Sequence, residues 1–576
     1  MKTSTSSLPL LLAVGCTLWL TGCDGGASKS GNKSENQTSS AEDEAKAIEQ
    51  CDSLITNGID MLQPDHMGIS SERTTAIDLL NDWHQRCAAG LGEIDEKEFE
   101  PVKGLLTKQA IKDLQNSRFL GRDGEHIRSS LLFHNMVDYI AGKSQTDLGR
   151  AADLFEFIVR NVSLVPDNAQ LPPLSPFQIF LYGVGTAEDR ALVFNSLLSQ
   201  LQIDAVIIRP KLKAPAEKKP ADKKVDKPAT KANTPSGSLL VGVLIDEKVY
   251  LFDPSLGLPI PSAAEANPQT VTIRVPATWN EVIATPETLK QLNLDEENTY
   301  GLTSDALKAA HVELIGNSSL WSARMRDLQG SLSGSRFVVI SDSLTDTPEE
   351  KGQYSRVLAA GTGKWTKENL SIWKTPEMRL DTAETYTAEQ LQKVESFRLP
   401  LTVPQKFEIV QDESGKPVPT LALPENIQLK TRISQLQGNY EASIASYLTV
   451  RLSDQIPPPE SIPKVHQLFF QHLRRMHAIA NHDATYYGAI CQLESGAPSA
   501  AANSLRDFIR KYGNNSPRSL SAQKILAFSL AKSGKLLGAA SRLEKITADT
   551  PDKLARTYRA RRWKQLRENQ QQEDVK

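Results

Sequence analysis

The sequence predicts an α+β fold in three parts: a helical N-terminal region, a middle domain built on a small antiparallel sheet, and a C-terminal α-helical repeat-like region. Apolar residues recur at helical spacing through residues 45–145. Two apolar runs, 239–245 and 249–254, flank a short polar turn and predict a β-hairpin. Near the C-terminus the helical spacing returns, and the dipeptide Ser495-Gly496 recurs at an offset of 38 residues.

The first 23 residues are predicted to be a lipoprotein signal peptide. Lys2 provides a basic start, and the apolar run over residues 8–20 is too short to cross a membrane, which takes about 20 apolar residues. The run ends in Leu-Thr-Gly-Cys at Cys23, which is similar to the lipobox of bacterial lipoproteins. That resemblance implies lipid attachment at Cys23 and a membrane-anchored protein of the bacterial cell envelope, facing the periplasm or another extracytoplasmic space. The alternative is an ordinary secretory signal with a cysteine there by chance.

Length and charge limit the domain organisation and the kinds of partner. A chain of 576 residues is long enough for three or four domains. A net charge of only −3 gives no indication of nucleic acid as a partner. The predicted segments are a signal peptide (1–23), a flexible tether (24–44), a helical region (45–145), the middle domain (146–262), a mixed α/β region of unclear partition (263–463), a helical region (464–563) and a polar tail (564–576).

Within the middle domain, residues 211–237 are predicted to be a disordered loop. They hold eight lysines and three acidic residues among repeated Pro and Ala. A basic segment that binds membranes or nucleic acid is the other interpretation, but the loop has no aromatic residue and its lysines alternate with Pro, Ala and Asp. A solvated loop is therefore the prediction.

Two cysteines lie on predicted helices on either side of a turn marked by Pro64 and Gly68. An antiparallel hairpin of these helices would bring Cys51 and Cys87 level, and an exported compartment permits oxidation. A disulfide between them would contribute roughly 3–4 kcal/mol. The alternative is two buried free thiols. Cys491, within a helical pattern, is predicted to be a small core residue.

The middle domain begins with two predicted helices and a strand. Residues 147–162 place apolar side chains on one helical face. The next helix starts at Thr186, with Asp189 three residues later in the pattern of a capping box. Residues 204–210 read as a buried strand, which precedes the hairpin.

This order of elements resembles the bacterial transglutaminase-like family, which has a papain-type fold, over residues 145–262. The family motif is Gly-x-Cys-x-Asp-x-Ala at the start of the central helix, and here Gly185, Asp189 and Ala191 match it. The family also has an Asp before Pro at a strand end, matched by Asp253. The resemblance implies a site in which a thiol at a helix N-terminus is deprotonated by a histidine that the aspartate orients.

The chain departs from the motif at both reactive positions. Ala187 stands where the nucleophilic cysteine belongs, and the family's strand spacing puts Ser238 near the position of the histidine. No histidine occurs between His134 and His311. Because nucleophile and base are both absent, the sequence predicts a pseudoenzyme in which Ala187, Ser238 and Asp253 are degenerate positions and no catalytic residue is assigned.

No other motif predicts a cofactor or a metal ion. The histidines at 466, 472, 477 and 482 are spaced by six, five and five residues, which does not align them on one helical face as a zinc site requires. The segment 361–364 (Gly-Thr-Gly-Lys) resembles the end of a phosphate loop, but Trp365 replaces the required Ser or Thr. We therefore expect neither cofactor nor metal.

The C-terminal region resembles tetratricopeptide repeats over residues 464–563, with small residues at the helix crossing and a turn glycine in each of two units. A plain helical bundle is the alternative. The combined prediction is a membrane-anchored envelope lipoprotein that acts as a protein-binding or scaffold module, with an unidentified protein partner. Two alternatives remain: a hydrolase of peptide or cell-wall amide bonds with an unidentified active site, and a structural lipoprotein that binds the cell wall.

Overall fold

The structure, a computed structural model, is mixed α+β. It describes residues 35–66, 70–88, 96–142, 144–165, 171–211, 239–295, 298–348, 350–380, 386–403, 407–411, 415, 417–421, 426–452, 467–513, 515–548, 550 and 552–575. Cys23, Ser238 and most of the predicted loop 211–237 lie outside these residues. Residues 1–53 and 54–576 form two compact units.

The described helices are α1 (Glu35–Met61), α2 (Ser70–Cys87), α3 (Lys108–Gln115), α4 (Gly121–Ala141), α5 (Asp147–Asn161), α6 (Pro176–Tyr182), α7 (Ala187–Gln200), α8 (Trp279–Ala284), α9 (Glu287–Lys290), α10 (Ser304–Lys308), α11 (Ala323–Ser331), α12 (Gln353–Ala360), α13 (Thr375–Leu380), α14 (Ala388–Arg398), α15 (Ile427–Leu436), α16 (Tyr440–Leu452), α17 (Gln467–Glu494), α18 (Pro498–Tyr512), α19 (Ser519–Lys532), α20 (Leu536–Glu544) and α21 (Lys553–Val575). The described strands are β1 (Ser163–Leu164), β2 (Val184–Gly185), β3 (Ala205–Arg209), β4 (Leu240–Ile245), β5 (Lys248–Asp253), β6 (Leu258–Pro259), β7 (His311–Leu314), β8 (Leu370–Ile372), β9 (Phe407–Gln411) and β10 (Pro417–Leu421).

The main sheet has six strands in the order β6-β5-β4-β3-β7-β8. Its pairs are antiparallel except for β7 and β8, which run parallel. The predicted strand and hairpin are confirmed as β3, β4 and β5. Strands β7 and β8 come from the region that the sequence left unpartitioned, so the sheet of the middle domain is not complete at residue 262 and the predicted boundary there is too early.

The hairpin between β4 and β5 turns on two residues, not on the three that the sequence predicted. Lys248 pairs with Ile245, which leaves only Asp246 and Glu247 in the turn. Both have positive φ, +49° and +60°. Two-residue turns of this hand match the right-handed twist of the strands, and that preference outweighs the cost of left-handed backbone at two non-glycine residues.

Three phenylalanines join the helices of the middle domain to its sheet. Phe155 on α5, Phe194 on α7 and Phe252 on β5 lie with ring centroids 5.1 Å apart in each pair. All three are buried, and such tilted and edge-to-face pairs are favourable beyond the area that they bury. This cluster fixes the start of α7 relative to the end of β5, where the candidate site lies.

Two of the predicted unstructured segments are helical. Part of the predicted tether, residues 35–44, belongs to α1, and its Ala, Glu and Gln residues favour a helix without apolar periodicity. The predicted polar tail continues α21 to Val575. There Trp563 and Leu566 are buried, and Asn569 donates hydrogen bonds to Asn267 Oδ1 (2.6 Å) and Pro268 O (3.2 Å).

The cysteines agree with the prediction as far as the structure describes them. Cys51 and Cys87 are both disulfide-bonded. Cys491 is free and fully buried on α17, and burial raises the pKa of its thiol to about 12, so it is an inert core residue. A bond between Cys51 and Cys87 remains the prediction that non-reducing peptide mapping tests.

The offset of 38 residues corresponds to a structural repeat. Helix α18 follows α17 through a left-handed glycine, Gly496 (φ +86°), and α20 follows α19 through Gly534 (φ +81°). Each second helix buries a small pair at the crossing and a leucine one turn later: Ala501, Ala502 and Leu505 on α18, Ala539, Ala540 and Leu543 on α20. Glycine and alanine recur because a tight turn and close helix approach both exclude larger side chains.

Candidate functional site

Helix α7 begins at Ala187, one residue after the predicted start at Thr186. Thr186 is the N-cap: its Oγ1 accepts a hydrogen bond from the Asp189 amide (3.2 Å), and Asp189 Oδ2 accepts one from the Thr186 amide (2.9 Å). The capping box is therefore confirmed. A methyl side chain at the half-buried position 187 leaves this helix N-terminus without a nucleophile.

The motif residues around Ala187 have structural roles. A Cβ at Gly185 would lie 2.9 Å from Asp189 Cβ, so that position requires glycine. Asp189 also accepts a hydrogen bond from Arg379 Nη2 on α13 (2.7 Å), and Ala191 is fully buried in the core. These residues hold the start of α7 in place whether or not a nucleophile is present.

Asp253 is buried, and both of its carboxylate oxygens accept hydrogen bonds from within the chain. Its Oδ1 accepts hydrogen bonds from the amides of Ser255 (2.8 Å) and Leu256 (2.9 Å), and its Oδ2 accepts one from the Tyr300 hydroxyl (2.6 Å). Burial raises the pKa of the Asp253 carboxyl, although these hydrogen bonds and Arg190 act to lower it. Asp253 thus closes the β5 turn and binds Tyr300; it does not orient a histidine.

Arg190, which the sequence did not single out, ties the start of α7 to the strands. Its Nε and Nη2 donate to Val162 O (3.1 and 2.7 Å), and its Nη1 donates to Pro254 O (3.1 Å). Burial lowers the pKa of this guanidinium to about 10. Among the described residues Arg190 makes no ion pair within 4 Å, which is unusual for a buried arginine.

A charged network lies beside the same helix N-terminus. Arg209, at the end of β3, donates to Glu188 Oε1 (2.9 Å) and to Glu313 Oε2 (2.8 Å). Both carboxylates are thereby engaged, so neither is placed to act as a free general base. The network makes this edge of the site polar, with two carboxylates around one guanidinium.

One histidine and one serine do meet in the sheet. His311 on β7 pairs in register with Arg209, and its Nε2 lies 2.6 Å from Ser371 Oγ on β8. Their wide separation in sequence hid this contact. No carboxylate in the described part of the chain hydrogen-bonds the other ring nitrogen, so the pair lacks the third group that orients a catalytic histidine.

The C-terminal helices hold the segment that leads into α7. Arg432 on α15 and Arg518 just before α19 are both buried, and they donate to consecutive carbonyls at the end of α6. Carbonyls at the C-terminal end of a helix lack partners within the helix, and here side chains supply part of their hydrogen bonds. The contacts are Arg432 Nη2 to Phe180 O (2.6 Å), Arg432 Nε to Leu181 O (3.4 Å), Arg518 Nη2 to Tyr182 O (2.6 Å) and Arg518 Nη1 to Gly183 O (3.0 Å).

Replacing Arg518 by lysine should lower the free energy of unfolding by about 1–3 kcal/mol, because an ammonium cannot serve two carbonyls and Asp483 together as the planar guanidinium does. Urea denaturation followed by circular dichroism measures the change. The matched control is the exposed Arg506→Lys on α18, for which we expect a change within about 0.5 kcal/mol. Equal changes in the free energy of unfolding for the two substitutions would contradict the role of Arg518 in holding the end of α6.

Ion pairs extend the contact between the C-terminal helices and α5. Arg160 donates to both carboxylate oxygens of Glu494 (2.8 and 3.1 Å), and Arg559 donates to Glu156 (3.0 Å). One face of the helical stack is therefore covered by the chain itself.

Comparison of the chain with protein-family models, with curated proteins and with solved structures finds no match. Within the described ranges no group of three or more His, Cys, Asp or Glu side chains is placed to hold a metal ion. No helix in that part of the chain has both the length and the hydropathy of a membrane span.

Replacing Ala187 by cysteine should not create hydrolytic activity. The helix N-terminus would lower the pKa of the new thiol, but Asp253 is hydrogen-bonded to Tyr300, and in the described part of the chain no histidine bonds Asp253 to take the proton. We expect Ala187→Cys to react with iodoacetamide faster than the buried Cys491 and to hydrolyse peptide amides no faster than the unmodified chain. Turnover by this single variant would contradict the prediction of a pseudoenzyme.

Proposed function

We propose that the protein is a lipid-anchored envelope lipoprotein with a non-catalytic, transglutaminase-like domain of papain type, and that it acts as a protein-binding scaffold. The observation that carries this proposal is the state of the would-be triad: Ala187 offers no nucleophile, and Asp253 is bonded to Tyr300 and two backbone amides. A domain that resembles an enzyme but lacks the reactive side chains fits a role in binding.

The tetratricopeptide-like helices are the proposed docking surface. Their inner face contacts α5 and α6, so the partner would bind an outward face. On α18 the exposed side chains include Arg506, Arg510 and Lys511 with only Asp507 to oppose them. We therefore propose a partner that presents an acidic segment to α18, with the lipid anchor at Cys23 raising the local concentration of both.

Crosslinking within envelopes tests this proposal. A photoreactive residue is placed at Asn503, which is exposed on α18, in the full chain. We expect one recurrent crosslinked protein, lost when Arg506 and Arg510 are changed to glutamate and kept when the exposed Lys290 and Lys308 are changed to glutamate as a matched control. Unchanged crosslinking in the α18 variant would contradict this docking surface.

The same preparation separates the two alternatives. Release of fragments from peptidoglycan or its stem peptides by the purified chain, abolished by Ser371→Ala, would replace the scaffold proposal with a hydrolase that uses the Ser371–His311 contact. Retention of the purified chain on peptidoglycan, unaffected by the α18 charge reversal, would favour a structural wall-binding role.

A further inference from the structure

A cavity of about 60 Å³ lies where α5 and α7 meet the last three helices. It can hold roughly four water molecules at about 15 Å³ each. Its wall combines apolar side chains, such as Phe528 and Ile525, with an excess of cations. The charged lining residues are Arg160, Arg190, Lys524, Arg556, Arg559 and Asp552.

Two of these cations are neutralised from outside the cavity. Glu494 and Glu156 pair with Arg160 and Arg559. The remaining cations face one lining carboxylate, Asp552. Its Oδ2 accepts a hydrogen bond from Lys524 (2.6 Å). The cavity therefore keeps an excess of positive charge.

The guanidinium of Arg556 is not satisfied by Asp552. Its Nε lies 3.7 Å from Asp552 Oδ1, too far for a hydrogen bond, and is buried without a hydrogen-bond partner. Its other nitrogens donate to Ile546 O (2.7 Å), Ala548 O (2.6 Å) and Thr550 Oγ1 (3.2 Å). A buried, charged donor left without an acceptor is costly, and a bound acceptor would relieve that cost.

Arg190 also lacks an anionic partner. Its only hydrogen bonds are to carbonyl oxygens. Besides Asp552, the Asp253 carboxylate acts on Arg190 through its charge, but Asp253 is already hydrogen-bonded to Tyr300. Burial lowers the pKa of Arg190 and of Lys524, and Asp552 only partly offsets the effect. At Arg160, by contrast, burial lowers the pKa, but Glu494 and Glu156 together with Tyr440 outweigh burial, and the pKa is raised.

We propose that this cavity binds a small oxyanion of the phosphate class, either inorganic phosphate or the phosphate of a small monoester. Arg190, Arg556 and Lys524 supply the charge, and the hydroxyl pair Ser163–Ser521 (2.7 Å between oxygens) supplies one neutral donor at the cavity wall. Guanidinium, ammonium and hydroxyl donors converging from several elements suit a tetrahedral anion, whose oxygens can accept from all of them. A carboxylate has only two oxygens and would leave donors unpaired.

Substitutions of Lys524 and Asp552, which form an ion pair, test the site because they should change the affinity for phosphate in opposite directions. Inorganic phosphate is titrated into the full chain by calorimetry at fixed ionic strength. We expect one saturable site, weakened at least tenfold by Lys524→Met and tightened by Asp552→Asn, which removes the competing carboxylate. A purely structural ion pair would not give opposite signs. Lys290→Met, at an exposed lysine, is the charge-matched control and should bind as the unmodified chain does.

Ser521→Ala keeps every charge and removes only the hydroxyl that bonds Ser163. We expect it to weaken phosphate binding several-fold, so the test does not depend on the charged variants alone. Glycerol 3-phosphate and acetate are titrated in parallel. Tighter binding of the monoester than of phosphate identifies a phosphorylated small molecule as the ligand, and the reverse identifies the free anion. Equal binding of acetate, no saturation by phosphate up to about 10 mM, or equal affinities in the Lys524 and Lys290 variants would overturn the proposal.

Discussion

Replacing Asp123 by alanine should destabilise the protein by about 3–5 kcal/mol, because it leaves a fully buried arginine without its counter-charge. Arg324 Nε and Nη2 donate to the two oxygens of Asp123, each at 2.8 Å, and both side chains have no exposed surface. Asp123 also accepts hydrogen bonds from the Leu120 amide (2.7 Å) and Ser319 Oγ (2.6 Å). The pair joins the first turn of α4 to the first turn of α11.

Urea denaturation of the full chain, with the double variant Asp123→Ala/Arg324→Met, measures this effect. The double variant should lose less than the sum of the two single variants, because neither charge is then left unpaired. Glu287→Ala, which breaks the exposed pair with Lys290, is the matched control and should cost no more than about 1 kcal/mol. A loss under 1 kcal/mol for Asp123→Ala would show that the α4–α11 contact does not need the ion pair.

Replacing Cys23 by serine should abolish lipidation completely. A serine hydroxyl does not replace the thiol that carries the acyl chains in lipoproteins, and each buried methylene of such a chain contributes about 0.8 kcal/mol to membrane binding. We expect the unmodified protein to incorporate labelled palmitate and to fractionate with membranes. The Cys23→Ser variant should be unlabelled and retain the mass of the unprocessed chain.

Cys491→Ser is the control for palmitate labelling, since Cys491 is buried in the core of the C-terminal helices. It should be labelled like the unmodified protein. An unlabelled mature protein with its signal removed would instead show that residues 1–23 are an ordinary secretory signal, and the anchoring part of the proposed function would then be wrong.

Local pattern predicted a large part of the elements that surround the candidate site. The capping box at Thr186 and Asp189, the buried strand at 204–210 and the hairpin ending at Asp253 were all read from short stretches of sequence. Such features depend on interactions between residues close in the chain. The structural repeat was predictable for the same reason, since the turn glycines and small residues are local requirements of each helix pair.

The partners of these residues were not predictable. Tyr300, whose hydroxyl donates to Asp253, lies in a region whose short elements show no clear periodicity. Arg518 caps a helix that lies more than 300 residues before it in the chain. A hydrogen bond across such a separation leaves no spacing in the sequence. The additional strands β7 and β8 were missed because four or fewer residues carry too little alternation to identify a strand.

The sequence by itself determined which reactive group is missing at the site. Residue 187 is alanine, and no folding of α7 can supply a thiol there. The identity of each residue, its capping preference and its local periodicity are properties of short segments. The tertiary structure alone decided what Asp253 binds, which carbonyls Arg432 and Arg518 cap, and where unpaired cations gather into a cavity. Those outcomes depend on burial and on contacts between distant segments, which only the assembled fold creates.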